Sequence, residues 1–309
     1  MKIQFKKEDN TSNRDMILGK YHLLKNKFSW FMIYRKTFRN YVSIINSVLK
    51  GKFPINGVLR DGRSVVLKSI DEIALFGLLA IDKKIEYDAK EDVATFSAFV
   101  NEDNSRKLNL YGISRGIDAF LTFRNDGTYD FLPVKEKVVL DVGANIGDTP
   151  VYFAMRGSKK VIGIEPFPQN YEIAKKNVEI NGLSDKIMIL LAACGSSGGY
   201  LTIDPRYKSD IRSSLKDFSQ GVQVPLFTLK DIVDNYNLSE SILKMDCEGC
   251  EYESILSSER DTLRHFTHIQ IEYHKGYKNL KEKLEKSGFQ VSSRIVDTEY
   301  RGHISAIRI

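Results

Sequence analysis

Apolar positions in this chain follow two rhythms, and the change between them falls near residue 131. From residue 137 onward, short β-rich apolar runs at 138–142, 161–165, 187–193, 242–246 and 269–273 alternate with helical patterns at 149–155, 170–181, 251–256 and 280–287. Runs that are apolar throughout read as strands buried on both faces, and their alternation with helices predicts an α/β, doubly wound, mostly parallel sheet. A final strand over 289–296, a turn over 297–302 and a strand over 303–309 predict an antiparallel C-terminal hairpin.

Before that boundary the pattern is mixed. Trp30, Tyr34, Phe38, Tyr41, Ile45 and Val48 recur every three or four residues, with Arg35, Lys36 and Arg39 off that face, which predicts one basic amphipathic helix over about 28–50. Asp61-Gly62 lies between two β-rich runs and signals a hairpin. Ser69 and Glu72 have capping-box spacing before an apolar run to Ile81, so a helix follows. Segments 84–88, 93–100, 108–113 and 119–123 alternate as strands do. Residues 1–131 are therefore expected to form an accessory α+β region, and residues 132–309 the main domain.

Charge changes this picture only locally. The net charge is +6, but no acidic residue occurs from Met16 to Arg60. The aromatic stripe there is expected to pack on the main domain or on a second copy, with a peripheral membrane contact as the alternative for residues 28–50. No apolar run approaches the roughly 18 residues of a membrane span, and no signal-peptide core opens the chain. Cys194, Cys247 and Cys250 are too few and too odd for a disulfide framework. These features together lead to an expected cytoplasmic location.

The main domain carries its chemistry at strand ends. Asp141-Val-Gly143-Ala144-Asn145-Ile-Gly147-Asp148 follows the first strand, and Glu165-Pro166 closes the second, eighteen residues past Gly147. Open α/β sheets bind ligands at this C-terminal edge. The turn lacks the G-x-G-x-x-G pattern that admits a pyrophosphate, and Asp141 beside it would repel one. A ligand with a cationic centre and a ribose diol suits two carboxylates better, and S-adenosylmethionine has both.

Four segments add to this: Asp141 to Asp148, Ile164-Glu-Pro-Phe-Pro168, Lys176-Asn-Val-Glu-Ile-Asn-Gly182, and Leu243-Lys-Met-Asp-Cys-Glu-Gly-Cys-Glu251. Together they resemble the FkbM family of S-adenosylmethionine-dependent methyltransferases. The last looks like the family's K-x-D-x-E-G-x-E segment, and Arg212-Ser-Ser-Leu215 and Val224 to Asp231 also look familiar. The resemblance implies a Rossmann-like class I methyltransferase fold and O-methylation of acceptors ranging from sugars to polyketides. It also implies that Asp141, Gly143, Asn145 and Gly147, with Ala144 among them, line the methionine part of the cofactor. Glu165 would meet the ribose and Phe167 and Ala193 the adenine, with Pro166 and Asp246 also among the cofactor-binding residues.

A hydroxyl acceptor must lose a proton, and general-base help contributes roughly 10²- to 10⁴-fold. On the fifth strand His268, Gln270, Glu272 and His274 share one face, and the last two reach the edge. Asp246 or His274 is expected to take the proton, with Glu248 and Glu272 orienting substrate or base. The acids of this edge, Glu251 included, could offer oxygens to Mg²⁺, but no metal ligand set is assigned. Cys247 and Cys250 lack the second pair that structural zinc needs. The acceptor is expected to be a small molecule or glycan. A nucleic-acid substrate is disfavoured, since no N-P-P-[YF] follows the fourth strand. Methylation of RNA, served by the basic segment, and a non-catalytic scaffold of the same fold are the alternatives.

Overall fold

The structure is a computed structural model that describes residues 31–81, 85–101, 104–115, 118–124, 128–204 and 220–309. Trp30 and the segment Arg212-Ser-Ser-Leu215 lie outside the described residues. The chain divides into two compact units, Met1–Lys83 and Lys84–Ile309. The division falls well before residue 131, so the segments after Lys83 belong with the larger unit.

In the first unit the helix expected over 28–50 is interrupted. Helical residues 31–37 stop at Phe38, which bridges Leu59, and α1 (Tyr41–Leu49) starts afresh. The break is a tertiary effect. The Arg39 amide donates to the Val58 carbonyl, and the Asn40 side chain accepts from the Val58 amide and donates to the Asn56 carbonyl. Periodicity within 28–50 cannot register partners in 55–59. Strands β1 (Ile55–Val58) and β2 (Ser64–Leu67) form the expected hairpin around Asp61-Gly62, and α2 (Ile70–Ile81) follows. Ser69 Oγ accepts from the Glu72 amide at 3.2 Å, half of the expected capping box, while Glu72 reaches back to the Lys68 amide. Tyr34, Phe38, Ile44, Ile55, Leu59, Leu67 and Ile73 make this unit's core.

The second unit opens with an antiparallel sheet of β3 (Glu86–Asp88), β4 (Val93–Asn101) and β5 (Asn104–Tyr111). The strand expected at 119–123 is instead helical, α3 (Asp118–Leu121) running into a 3-10 turn over Thr122–Arg124. Phe120 and Phe123 lie one helical turn apart and both meet Phe96 on β4 edge to face, a contact that strand alternation would have split between two faces.

The principal sheet has seven strands: β6 (Val138–Val142), β7 (Lys160–Glu165), β8 (Ile187–Leu191), β12 (Ser241–Met245), β13 (Phe266–Tyr273), β14 (Phe289–Thr298) and β15 (Arg301–Arg308). Their order is β14-β15-β13-β12-β6-β7-β8, parallel except that β15 is antiparallel to both its neighbours. This is the Rossmann-like class I methyltransferase arrangement, with its topological switch between β6 and β12. Helices α4 (Asp148–Met155), α5 (Pro168–Ile180), α7 (Cys250–Ser257) and α9 (Lys278–Lys286) connect the strands, joined by the short α8 (Arg260–Leu263). A small sheet of β9 (Ala193–Cys194), β10 (Gly199–Ile203) and β11 (Val222–Phe227) precedes α6 (Leu229–Tyr236), which begins with a full capping box between Thr228 and Asp231. Among the described residues no helix is long and apolar enough to cross a membrane.

The Lys176 to Gly182 segment has a structural use. Asn177 and Asn181, one turn apart on α5 and its cap, each bond both ways with the backbone of β5, at Tyr111 and Asn109. Asn177 also donates to the Ile146 carbonyl at 2.8 Å. One side chain thus ties the β3–β5 sheet to the glycine turn after β6.

Candidate active site

The turn after β6 is held from three sides. The Ile164 carbonyl accepts from both the Gly143 and Ala144 amides at 3.0 Å. Glu165 accepts from the Asn145 amide at 2.9 Å and from the Phe167 amide at 3.0 Å. With these amides engaged internally, the turn offers no N–H cradle to a pyrophosphate, in keeping with its sequence. Gly143 has φ +85°, and a Cβ there would stand 1.7 Å from the Asp246 carbonyl oxygen. The turn after β6 and the loop after β12 therefore touch backbone to backbone, where the Asp246 amide also donates to the Val142 carbonyl at 2.9 Å. Each loop carries a non-glycine residue in the left-handed region, Asn145 at φ 47° and Glu248 at φ 55°. Such residues persist only where their surroundings over-determine them.

Of the residues expected to meet a cofactor, Gly143, Asn145, Pro166 and Asp246 are partly exposed, and Ala144, Gly147, Glu165, Phe167 and Ala193 are buried. Asp141 is placed differently from expectation. Its carboxylate is wholly buried, 2.9 Å from the Lys244 ammonium and hydrogen-bonded by Thr149 Oγ1, so it supports the turn from beneath. Lys244 stands opposite Asp141 in the parallel register of β6 and β12 and also donates to the Gly143 carbonyl at 3.0 Å. Burial alone would lower the Lys244 pKa, but Asp141, with Tyr129 and Asp246 behind it, holds it above the ordinary lysine value. Burial pushes the Asp141 carboxyl up, while Lys244 and Thr149 pull it back. Sequence reasoning gave Lys244 no role. The signal was there, a lone cation inside the otherwise apolar run Ile242 to Met245.

Phe167 packs with Ile203 and Val224, which the small sheet of β9 to β11 supplies beside the end of β7. Glu165 is pushed up to about 8 and Asp148 to about 6, both chiefly by burial. The folded chain therefore binds these protons more tightly than the unfolded chain, whose carboxyls titrate near 4. The stability they confer is complete below the unfolded values and is lost as pH rises through 6 and then 8. Between about pH 5 and pH 8.5 in EDTA, we expect unfolding free energy to fall by on the order of 5 kcal/mol, most of it from Glu165, or roughly 10–20 °C in Tm. The slope should flatten in Glu165→Gln, and a Tm that climbs across the range would contradict the assignment.

At and just beyond the ends of β12 and β13, the structure brings together the expected Asp246, Glu248, Glu272 and His274, with Glu251 beneath them. His274 Nδ1 lies 3.0 Å from Glu251 Oε1, and Glu251, itself fully buried, accepts the Gly249 amide on its other oxygen at 2.8 Å. Nε2 faces Glu248 at 3.4 Å, Glu272 at 3.7 Å and Asp246 at 4.0 Å. Burial would lower the imidazole, but the Glu251 hydrogen bond and the Glu248 and Asp246 charges raise it to about 9. Glu248 is pushed up to about 7 by burial first and by Asp246 and Glu272 next. Arg301 on β15, not anticipated from sequence, donates from Nε to Glu272 at 2.9 Å and pairs with it by charge at 2.8 Å. The register of the terminal hairpin puts it there, and that register cannot be counted from spacing alone.

Cys247 and Cys250 are joined by a disulfide, a single bridge and not a framework. The bond spans Glu248 and Gly249 and closes the loop that carries the cluster's left-handed residue. Cys194 is free and buried.

Residues 141–291 match the methyltransferase FkbM domain, so the match includes both halves of this site. The chain carries an FkbM methyltransferase domain. The cofactor of this FkbM domain is S-adenosylmethionine. Protein arginine N-methyltransferase 1 of Saccharomyces cerevisiae is 41% identical over 109 residues, covering 33% of this chain and 31% of that protein. Ribosomal protein L11 methyltransferase of Glaesserella parasuis is 34% identical over 62 residues, 20% of this chain and 21% of that protein. The chain thus spans less than a third of either curated relative it matches. Among solved structures, methyltransferase FkbM from Methylobacillus flagellatus is similar with a TM-score of 0.41 and 15% identity, over 55% of this chain and 43% of that one. The METTL16 methyltransferase domain is similar with a TM-score of 0.46 and 14% identity, over 85% and 91%.

Proposed function

We propose that this FkbM domain methylates a hydroxyl oxygen of a sugar, a glycan-linked group or another small acceptor. The observation that carries the reading is the carboxylate and imidazole cluster at the ends of β12 and β13, joined to the cofactor turn by the contact of Gly143 with Asp246. S-adenosylmethionine suits the first half of the site, where the amides are engaged internally and Glu165, with one amide on each oxygen, keeps acceptor capacity for a ribose diol. Bound there, it would supply an electrophilic methyl group for in-line transfer to the acceptor oxygen. The chain's part is alignment, worth up to about 7–11 kcal/mol, and removal of the hydroxyl proton.

Asp246 is the most exposed carboxylate of the cluster, at 29% for its side chain, and is the base in this reading. His274, raised to about 9, keeps its proton at neutral pH and serves to position Asp246 and Glu248 by charge. Acidic rather than basic groups at the acceptor side oppose a nucleic-acid backbone there.

A second reading follows from the same acids. Glu272 already holds the Arg301 guanidinium through a hydrogen bond and an ion pair, and the yeast relative is an arginine N-methyltransferase, so a guanidinium acceptor also suits the cluster. Transfer of labelled methyl from S-adenosylmethionine to sugars, glycans and arginine peptides decides between them by mass spectrometry of the product. For the oxygen reading, Asp246→Asn should lower kcat about 10²- to 10⁴-fold with S-adenosylhomocysteine affinity kept within a few fold. Methylarginine as product would replace the first reading by the second, and absence of cofactor binding would remove both.

A further inference from the structure

The cluster has a feature that proton transfer leaves unused. His274 Nε2 is shut off from solvent and makes no hydrogen bond. Its partner nitrogen is fixed by Glu251, which is wholly buried and cannot turn away because its other oxygen holds the Gly249 amide. With Nδ1 directed at Glu251, Nε2 points among carboxylates, and an ion that displaces its proton would meet the freed lone pair there. A buried carboxylate on one imidazole nitrogen, with the other nitrogen turned toward further ligands, is how proteins orient a histidine for a metal ion.

We propose that His274, Asp246 and Glu248 form a binding site for one divalent first-row cation, with Mn²⁺ and Zn²⁺ the chemical class that fits. A ligand atom from each of the three lies within 4.8 Å of the others. Nε2 stands 3.4 Å from Glu248 and 4.0 Å from Asp246, and the former contact lacks hydrogen-bond geometry. Two tetrahedral ligands each about 2.0–2.2 Å from a shared ion stand roughly 3.3–3.6 Å apart, which the Glu248 separation matches and the Asp246 separation exceeds by about 0.4 Å. Glu272, already engaged by Arg301, borders the site without being needed as a ligand.

Charge argues the same way. Asp246, Glu248, Glu251 and Glu272 crowd one imidazole and one guanidinium, and a cation replacing the proton on Nε2 would offset the excess. An imidazole among carboxylates favours Mn²⁺ or Zn²⁺ over Mg²⁺, which keeps its waters and prefers oxygen. The site rests on the methyltransferase reading only for its use. There, positive charge would stand where the acceptor oxygen becomes negative, and Asp246 would share its carboxylate between ion and base.

The test uses the full chain, stripped with EDTA and desalted, then titrated with Mn²⁺ while the free ion is followed by electron paramagnetic resonance. S-adenosylhomocysteine binding is measured by calorimetry on the same preparation. One Mn²⁺ per chain is expected. Affinity should fall at least about tenfold in His274→Gln and in Glu248→Gln, and about 10- to 100-fold in Glu251→Gln, which touches no ion. No saturable binding, or equal affinity in the wild type and both His274→Gln and Glu248→Gln, overturns the site. Should His274→Gln fail to fold, the loop variant Glu248→Gln decides alone. Cofactor binding without Mn²⁺ refutes the cation site and leaves the methyltransferase reading standing, and Mn²⁺ binding without the cofactor does the reverse.

Discussion

Replacing Lys244 with methionine is expected to destabilise the larger unit by about 3–5 kcal/mol, because it strands the Asp141 carboxylate at full burial without its cation. For a unit of this size that corresponds to a fall in Tm on the order of 10 °C. The loss has two parts. One is the uncompensated charge, and the other is the Gly143 carbonyl, which Lys244 also satisfies. The double variant Lys244→Met, Asp141→Leu removes both charges together and should recover most of the stability, since replacing a buried ion pair with apolar groups is often neutral. Denaturant unfolding of the two variants beside the wild type checks this. A single variant within about 1 kcal/mol of the wild type would show that the pair does not hold the turn.

Gly143→Ala is expected to abolish cofactor binding, with affinity for S-adenosylhomocysteine reduced at least about 100-fold, or roughly 2.7 kcal/mol. The new Cβ would lie 1.7 Å from the Asp246 oxygen and 2.7 Å from its carbonyl carbon, so the loop after β12 must move away from the turn after β6. Backbone strain alone does not predict that loss, and a second glycine separates the two effects. Gly157 has φ +86°, nearly the same as Gly143, but its nearest neighbour to an added Cβ is Lys135 Cγ at 3.6 Å. Gly157→Ala therefore carries the left-handed penalty of about 1–2 kcal/mol without a collision, and should lower stability while leaving calorimetric affinity unchanged. Equal affinity losses in the two variants would mean that strain, and not the contact with Asp246, governs the site.

These two variants show which parts of the molecule were legible before folding. The strands of the principal sheet could be read because each is a short run buried on both faces, and burial forces a continuous apolar signal. The site's acids could be read because strand ends at one sheet edge are fixed by that same signal. Less visible was what each acid faces. Asp141 looked like a ligand contact by its position at a strand end, and only the register of β6 against β12 turned it toward Lys244. Segment 119–123 misled because alternation in so short a run cannot be told from a helical turn, and Phe96 on another strand selected the turn. The helix expected over 28–50 was broken by hydrogen bonds from residues 56 and 58, beyond any local period.

By itself, then, the sequence determined the doubly wound sheet, the glycine turn, the acid at the end of each of the first two strands and the acidic segment after the fourth. Each follows from local constraints, namely burial of both strand faces and backbone room at glycine. The tertiary structure alone decided that Lys244 neutralises Asp141, that Arg301 holds Glu272, that Cys247 and Cys250 join, and that Glu251 turns the open nitrogen of His274 toward Asp246 and Glu248. Those pairings depend on register, on loop closure and on the low dielectric of a buried edge, which makes an unpaired charge too unfavourable to leave alone. They are properties of proximity, and residues separated by more than a hundred positions become neighbours only once the sheet has formed.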